Sequence, residues 1–367
     1  MQHNFPTNSY PEARSLRFFF SNHLPKLQSL KTLPAALLLF ALLGFSACNT
    51  DDGGAPDVSD IKINLQIERF DQEFAQIDTA NPEPGLQAIA QKYPTLLPPY
   101  LTRMIRLPEQ RAVSPLETVQ GFLSDPFVQK LRDTVNIVYK NMDDVKPGLE
   151  QLFRYYKYYF PEKPTPKVAT VVSAFYTDAF VVDDSLMGLS LDMFLGQQFS
   201  GYRGQFPDFM SRQFTPEYIP VRMAKAIAND LNETPAGKNL LEEMLRNGKS
   251  LYIVKKLLPR TPDSLIMGYT EQQMSGCFSN EQEVWARILS QNLLYSSDFS
   301  QTRKLIEPSP NAPVVFQEAP GEIGNWIGWR IVESWMQRHP DADIKAMLAA
   351  TDAQKFLEEA KYKPKSK

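Results

Sequence analysis

Lys167–Ser173 (KVATVVS), Ala179–Val182 (AFVV) and Met187–Leu191 (MGLSL) are three short apolar, β-branched runs separated by turn residues, and composition of that kind predicts strands. Ile61, Ile63, Leu65 and Ile67 alternate with polar residues, the period-2 signature of a strand with one buried face. The four pieces are expected to form one small, mostly antiparallel sheet. Outward from them the spacing is helical. Phe70, Phe74 and Ile77 recur at helical intervals, and Ser114-Pro115-Leu116-Glu117 combines an N-cap, a proline at the first helical position and a capping-box acid. Asp125-Pro126 opens a helix carrying Phe127, Leu131, Val135, Val138 and Met142; another follows Pro147 with Leu149, Phe153, Tyr156 and Phe160. Thr215-Pro216 opens a helix through Leu231, and Asn239–Asn247 (NLLEEMLRN) gives one that Gly248 is expected to stop. Thr270…Gln273, Ser279…Gln282 and Thr351…Gln354 read as further capping boxes, and 322–338 as an aromatic helix. No solenoid period is present. The fold class is α+β, predominantly α.

The N-terminal end has the layout of an export signal. Arg14, Arg17, Lys26 and Lys31 precede an apolar run from Leu33 to Phe45 (LPAALLLFALLGF). That run is shorter than the ~20 residues a helix needs to span a bilayer core. Phe45-Ser46-Ala47-Cys48 reads as a lipobox, with Phe45 where Leu is usual, so Cys48 is expected to carry diacylglycerol after cleavage. Residues 1–47 are then a lipoprotein signal peptide, 48–60 the lipidated cysteine and a flexible tether, and 61–367 a single globular domain. Asp51-Asp52 fits either a sorting signal toward the outer membrane or a plain linker.

Composition narrows the chemistry. Without Arg14, Arg17, Lys26, Lys31 and Glu12 the formal net charge moves from −3 to −6, and no basic stripe offers a nucleic-acid surface. The basic run Lys361–Lys367 reads as a solvated tail. Of three histidines, His3 and His23 leave with the signal, so only His339 remains. A two-histidine zinc site or a histidine-based nucleophile system has too little imidazole to work with. Cys277 beside Phe278 reads as a buried, inert thiol. Phosphate-binding glycine loops are missing, and neither metal nor cofactor is expected. The pairs Asp183-Asp184 and Glu242-Glu243 read as solvated faces.

Pro320–Met336 (PGEIGNWIGWRIVESWM) holds three of the four tryptophans. Gly324 and Gly328 lie four apart on one helical face, where another element can pack at close range. Each glycine costs a helix interior ~1 kcal/mol relative to alanine, so two of them point to packing or binding. Arg330 and Glu333 are spaced to pair. The stretch is either a central core helix or the floor of a groove whose tryptophans meet a partner.

Ile67–Asp71 (IERFD), Tyr158–Pro161 (YYFP), Gly188–Gly196 (GLSLDMFLG), Asn247–Lys249 (NGK), Pro320–Trp329 (PGEIGNWIGW) and Lys361–Pro364 (KYKP) together closely resemble the gliding motility lipoprotein family GldB of Bacteroidota, in order along the mature chain. The resemblance implies an envelope lipoprotein needed for gliding, a movement system coupled to type IX secretion. The layout also resembles predicted zinc peptidases of the zincin kind. That likeness implies a zincin-like helical body in which the helix bearing His-Glu-x-x-His falls near Pro216–Leu231 and the third ligand near Asn247-Gly248. Here the helix reads Val221–Ile227 (VRMAKAI), without histidine.

The chain is therefore expected to be a non-catalytic pseudo-peptidase, an outer-membrane lipoprotein on the periplasmic or outer face that binds or scaffolds envelope proteins. Trp326, Trp329, Arg330, Glu333, Arg222 and Asn247 are its cleft residues, and Cys48 is its membrane attachment. The alternative is an envelope hydrolase without zinc that uses carboxylates such as Glu217, Asp230, Glu242 or Glu333.

Overall fold

The computed structural model describes residues 54–105 and 114–364. It is a predominantly helical α+β body with one four-stranded sheet. The strands are β1 (Ile67–Glu68), β2 (Lys167–Val171), β3 (Ala179–Asp183) and β4 (Leu186–Ser190), in the order β1-β2-β4-β3. β1 pairs parallel with β2 and β2 parallel with β4; only the β3–β4 hairpin is antiparallel. The sheet is thus mixed, which corrects the expectation of a mostly antiparallel one. Parallel neighbours need long crossovers, and the helices between residues 70 and 159 supply one between β1 and β2. Burial carries the same message. β2 is buried from Val168 onward and β4 throughout, while the edge strand β3 is half-buried. Continuous burial without alternation belongs to parallel strands covered on both faces.

The alternation at Ile61–Ile67 produces only the two paired residues of β1, although Leu65 is buried and Ile61, Ile63 and Ile67 pack against the core. Val58 is buried as well, so the packed body begins before residue 61 and takes in part of the expected tether. The loop from β2 to β3 turns through Ala174 and Phe175, both at positive φ (50° and 69°). Asp192, fully buried, holds that turn by accepting the backbone N–H groups of Ser173 (3.1 Å) and Phe175 (2.7 Å).

Several helix ends follow local chemistry. Ser114 caps Pro115–Ser124 through a complete capping box, Asp125 caps Pro126–Val138, and Thr270 caps Glu271–Ser279 with Gln273 closing the box. Two predicted caps are displaced by one residue. Ser279 is the last residue of its helix and the next starts after Asn280, while Asp352, not Thr351, caps Ala353–Ala360. Thr215 leads into a short 3-10 turn before Ile219–Leu231.

The larger correction concerns Gly248. It does not end a helix; Leu240–Leu257 runs straight through it. That helix packs against Ile323–Arg338, and their glycines meet. A Cβ on Gly248 would stand 2.3 Å from the carbonyl carbon of Gly328, and one on Gly328 would stand 1.8 Å from the carbonyl oxygen of Met244. On the same face of helix 323–338, Gly324 lies against the Leu305 carbonyl, where a Cβ would be 2.7 Å away. The two glycines therefore admit two neighbours, helices Leu240–Leu257 and Phe299–Ile306. No helix among the described residues is long and apolar enough to cross a membrane.

Candidate functional site

Helix Ile219–Leu231 presents Arg222 and Lys225 on one side, since residues three apart share a helical face. They line a cavity of about 110 Å³ together with Arg212, Gln213, Gln273, Gly321 and Glu322. Glu322 stands just before helix Ile323–Arg338 in the left-handed conformation (φ 64°), uncommon for a residue with a side chain. Tyr269 fixes the preceding residue by donating its hydroxyl to the Gly321 carbonyl at 2.6 Å. The backbone there is also packed tightly, because a Cβ on Gly321 would fall 2.3 Å from the Ser309 carbonyl oxygen.

The cations are held in different ways. Arg222 forms an ion pair with Asp178 (3.2 Å) and donates to Gln213 Oε1 (2.9 Å). Among the described residues Arg212 donates only to neutral acceptors, the Gly268 carbonyl and Gln273 Oε1, both at 2.9 Å, and its buried Nε has no partner. Lys225 has no hydrogen-bond partner among them. Burial pulls its ammonium down to about 8, with repulsion from Arg222 adding to the effect and Glu322 and Asp178 opposing it. Burial likewise raises the Glu322 carboxyl, against the pull of Lys225 and Arg222. A cavity so lined is suited to holding a small anionic group.

Asn247 lies beside this region, not in it. Its amide donates to Asn325 Oδ1 (2.9 Å), and Asn325 in turn donates to the Ile306 carbonyl (2.9 Å). The pair cross-links helices 240–257 and 323–338 next to the glycine contact. Arg222 is thus the one expected cleft residue that lines the cavity.

Trp326 and Trp329 are enclosed, at 0% and 1% exposure, and their indole nitrogens find no partner among the described residues. The groove-floor reading gives way to the core-helix one: Ile323 through Trp329 are all buried, as in a helix covered on every side. Arg330 and Glu333 do pair, in a separate cluster. Arg330 also reaches Glu281 (3.4 Å), which accepts the Tyr362 hydroxyl at 2.7 Å. Tyr362 packs edge-on against Trp285, so this residue of the basic C-terminal run is docked while Lys361 and Lys363 are exposed, as expected of a solvated tail.

The acids proposed for a hydrolase have local employment. Glu217 accepts from Thr215, Glu242 from Lys238 and Asn239, and Glu333 from Arg330, while Asp230 is exposed. Glu243, expected on a solvated face, is half-buried and accepts the Gly237 N–H at 2.6 Å. Cys277 is buried, and burial pushes its thiol up to about 12. Among the described residues no three His, Cys, Asp or Glu side chains are grouped to hold a metal ion. Cys48 lies outside the described residues. Sequence reasoning missed Lys225, Arg212, Glu322 and Asp178. The available signal was Lys225 three residues after Arg222 in the apolar stretch Ile219–Ala228, and an acid directly before the glycine-bearing helix.

No curated protein and no solved structure matches the chain, so the comparisons do not extend its likeness to the zincin-type peptidases. The family model described as gliding motility protein GldB matches residues 51–364, a span that includes the sheet, the cation-lined cavity and the glycine-crossed helix pair. The chain belongs to the GldB family of gliding motility proteins.

Proposed function

We propose that this chain is an envelope lipoprotein of the gliding and type IX secretion machinery, attached through Cys48 and acting by binding another envelope component instead of by hydrolysis. The family membership supports the link to gliding. The lipobox at Phe45–Cys48 and the lipoprotein abbreviation in the family model's label support the attachment. The observation that carries the binding role is the cavity at Arg222, Lys225 and Glu322. It lies on the helix that the zincin likeness would make catalytic, yet its polar groups are cations, amides, one carboxyl and the hydroxyls of Tyr269 and Ser309, each of which donates to a backbone carbonyl; such a set grips an anion and holds no hydroxyl paired with a base.

Two measurements test this reading. Purified mature protein is expected to contain no stoichiometric zinc and to leave a peptide library uncleaved; tightly held metal with turnover overturns the binding role. In the producing cell, loss of the chain is expected to stop surface movement and to retain secreted cargo in the envelope. Unaltered movement and secretion contradict the assignment to that machinery.

A further inference from the structure

We infer that the cavity between helix 219–231 and the start of helix 323–338 binds a single carboxylate group, with Lys225 and Arg212 as its principal contacts. The inference deepens the binding role proposed above and rests on it.

The charges in and around the cavity do not cancel. Arg212, Arg222 and Lys225 bring three positive charges, and Asp178 and Glu322 bring two negative ones. The nearby Glu217 is solvent-exposed and bonded to Thr215, so it adds little inside. Arg222 is satisfied by Asp178, whereas Arg212 faces only a carbonyl and an amide oxygen. Its buried Nε proton has no acceptor among the described residues, and the half-buried Lys225 makes no hydrogen bond with them. An unsatisfied buried donor such as the Arg212 Nε costs roughly 1–3 kcal/mol, more when charged; a monoanion in the cavity would give it an acceptor and give Lys225 a counter-charge.

Size and shape limit what that anion is. About 110 Å³ holds a carboxylate or a few waters. Guanidinium and ammonium groups lining one small cavity suit a planar, two-oxygen group. A phosphate dianion would bring one negative charge too many and would sit close to Glu322. One cavity wall is also set by backbone that cannot retreat, since a Cβ on Gly321 would strike the Ser309 carbonyl oxygen at 2.3 Å. The carboxylate can belong to a free small acid or to the C-terminus of a peptide.

Calorimetric titration of the mature chain with tri-alanine, its C-terminal carboxamide, acetate and inorganic phosphate distinguishes these sources. Tri-alanine is expected to bind saturably and the carboxamide at least tenfold more weakly. Acetate competing on equal terms identifies a small acid as sufficient; binding of the peptide but not acetate assigns a peptide end. Lys225→Met is expected to weaken carboxylate binding at least tenfold, and Lys225→Arg to restore most of it, with circular dichroism and melting checking that both variants fold. Arg212→Gln serves as the second variant, with the same expected loss. Equal binding of tri-alanine and its carboxamide, tighter binding of phosphate, absence of binding by either carboxylate, or full affinity in folded Lys225→Met overturns the inference. Mass spectrometry of the titrated peptide separates the two readings, since cleavage of tri-alanine defeats the non-catalytic role while leaving carboxylate recognition standing.

Discussion

At Gly328 a Cβ would stand 1.8 Å from one backbone atom of Met244 and 2.5 Å from another. Neither can swing aside as a side-chain end can, so the helices must part. Gly328→Ala is expected to lower unfolding stability by about 1–3 kcal/mol, the usual cost of overpacking, measured by urea denaturation. Gly276 is the control. It lies within helix 271–279 with nothing near its missing Cβ, and Gly276→Ala is expected to raise stability by up to ~1 kcal/mol. The same response from both variants would refute the close-approach account. Asp192 makes a different kind of prediction. Burial raises its carboxyl to about 6 from 3.8, against the backbone N–H groups of Phe175 and Ser173. Because the folded value is the higher one, its contribution to stability is fully present below about pH 4 and is lost as pH rises through 6. The stability gap between the native chain and Asp192→Asn should therefore shrink over that interval, by about 3 kcal/mol for a shift of this size. A gap that stays constant from pH 4 to 7 would show that the group titrates normally.

The C-terminal segment illustrates how an element acquires a role that its own residues do not announce. Glu281 is 1% exposed and depends on Tyr362 and Arg330 for hydrogen bonds. Its second oxygen has no partner among the described residues. Tyr362→Phe removes one of the two donors to a buried carboxylate and is expected to cost about 1.5–3 kcal/mol, seen as a lower thermal midpoint. An unchanged midpoint would mean that the tail is not docked in solution. The lysines of Lys361-Tyr362-Lys363-Pro364 are exposed as the stretch suggests, but the role of Tyr362 is not legible there, because the buried acid it serves is 81 residues away in the chain. Helix starts were easier to read. The boxes at Ser114 and Thr270 and the cap at Asp125 are satisfied within three residues, and the misplaced caps at Ser279 and Thr351 missed by a single position in favour of Asn280 and Asp352.

For the molecule as a unit, attachment and folding are expected to be separable. Among the described residues the buried core begins at Val58, so Cys48→Ala should fold normally yet leave the membrane fraction. One acyl chain gives only marginal membrane binding, and firm anchoring needs the several chains a lipidated cysteine carries. Retention of Cys48→Ala in a carbonate-washed membrane pellet would count against the lipid anchor. Helical spacing, caps and short β-rich runs were sufficient to establish a predominantly helical body with one small sheet, because those signals are local and each is satisfied within a turn or two of chain. The strand order, the passage of helix 240–257 through Gly248, the enclosure of Trp326 and Trp329 and the meeting of Arg212, Lys225 and Glu322 were not legible in this way. Each depends on which distant segments come into contact, and burial, pairing and charge compensation are properties of those contacts, not of the residues taken one at a time.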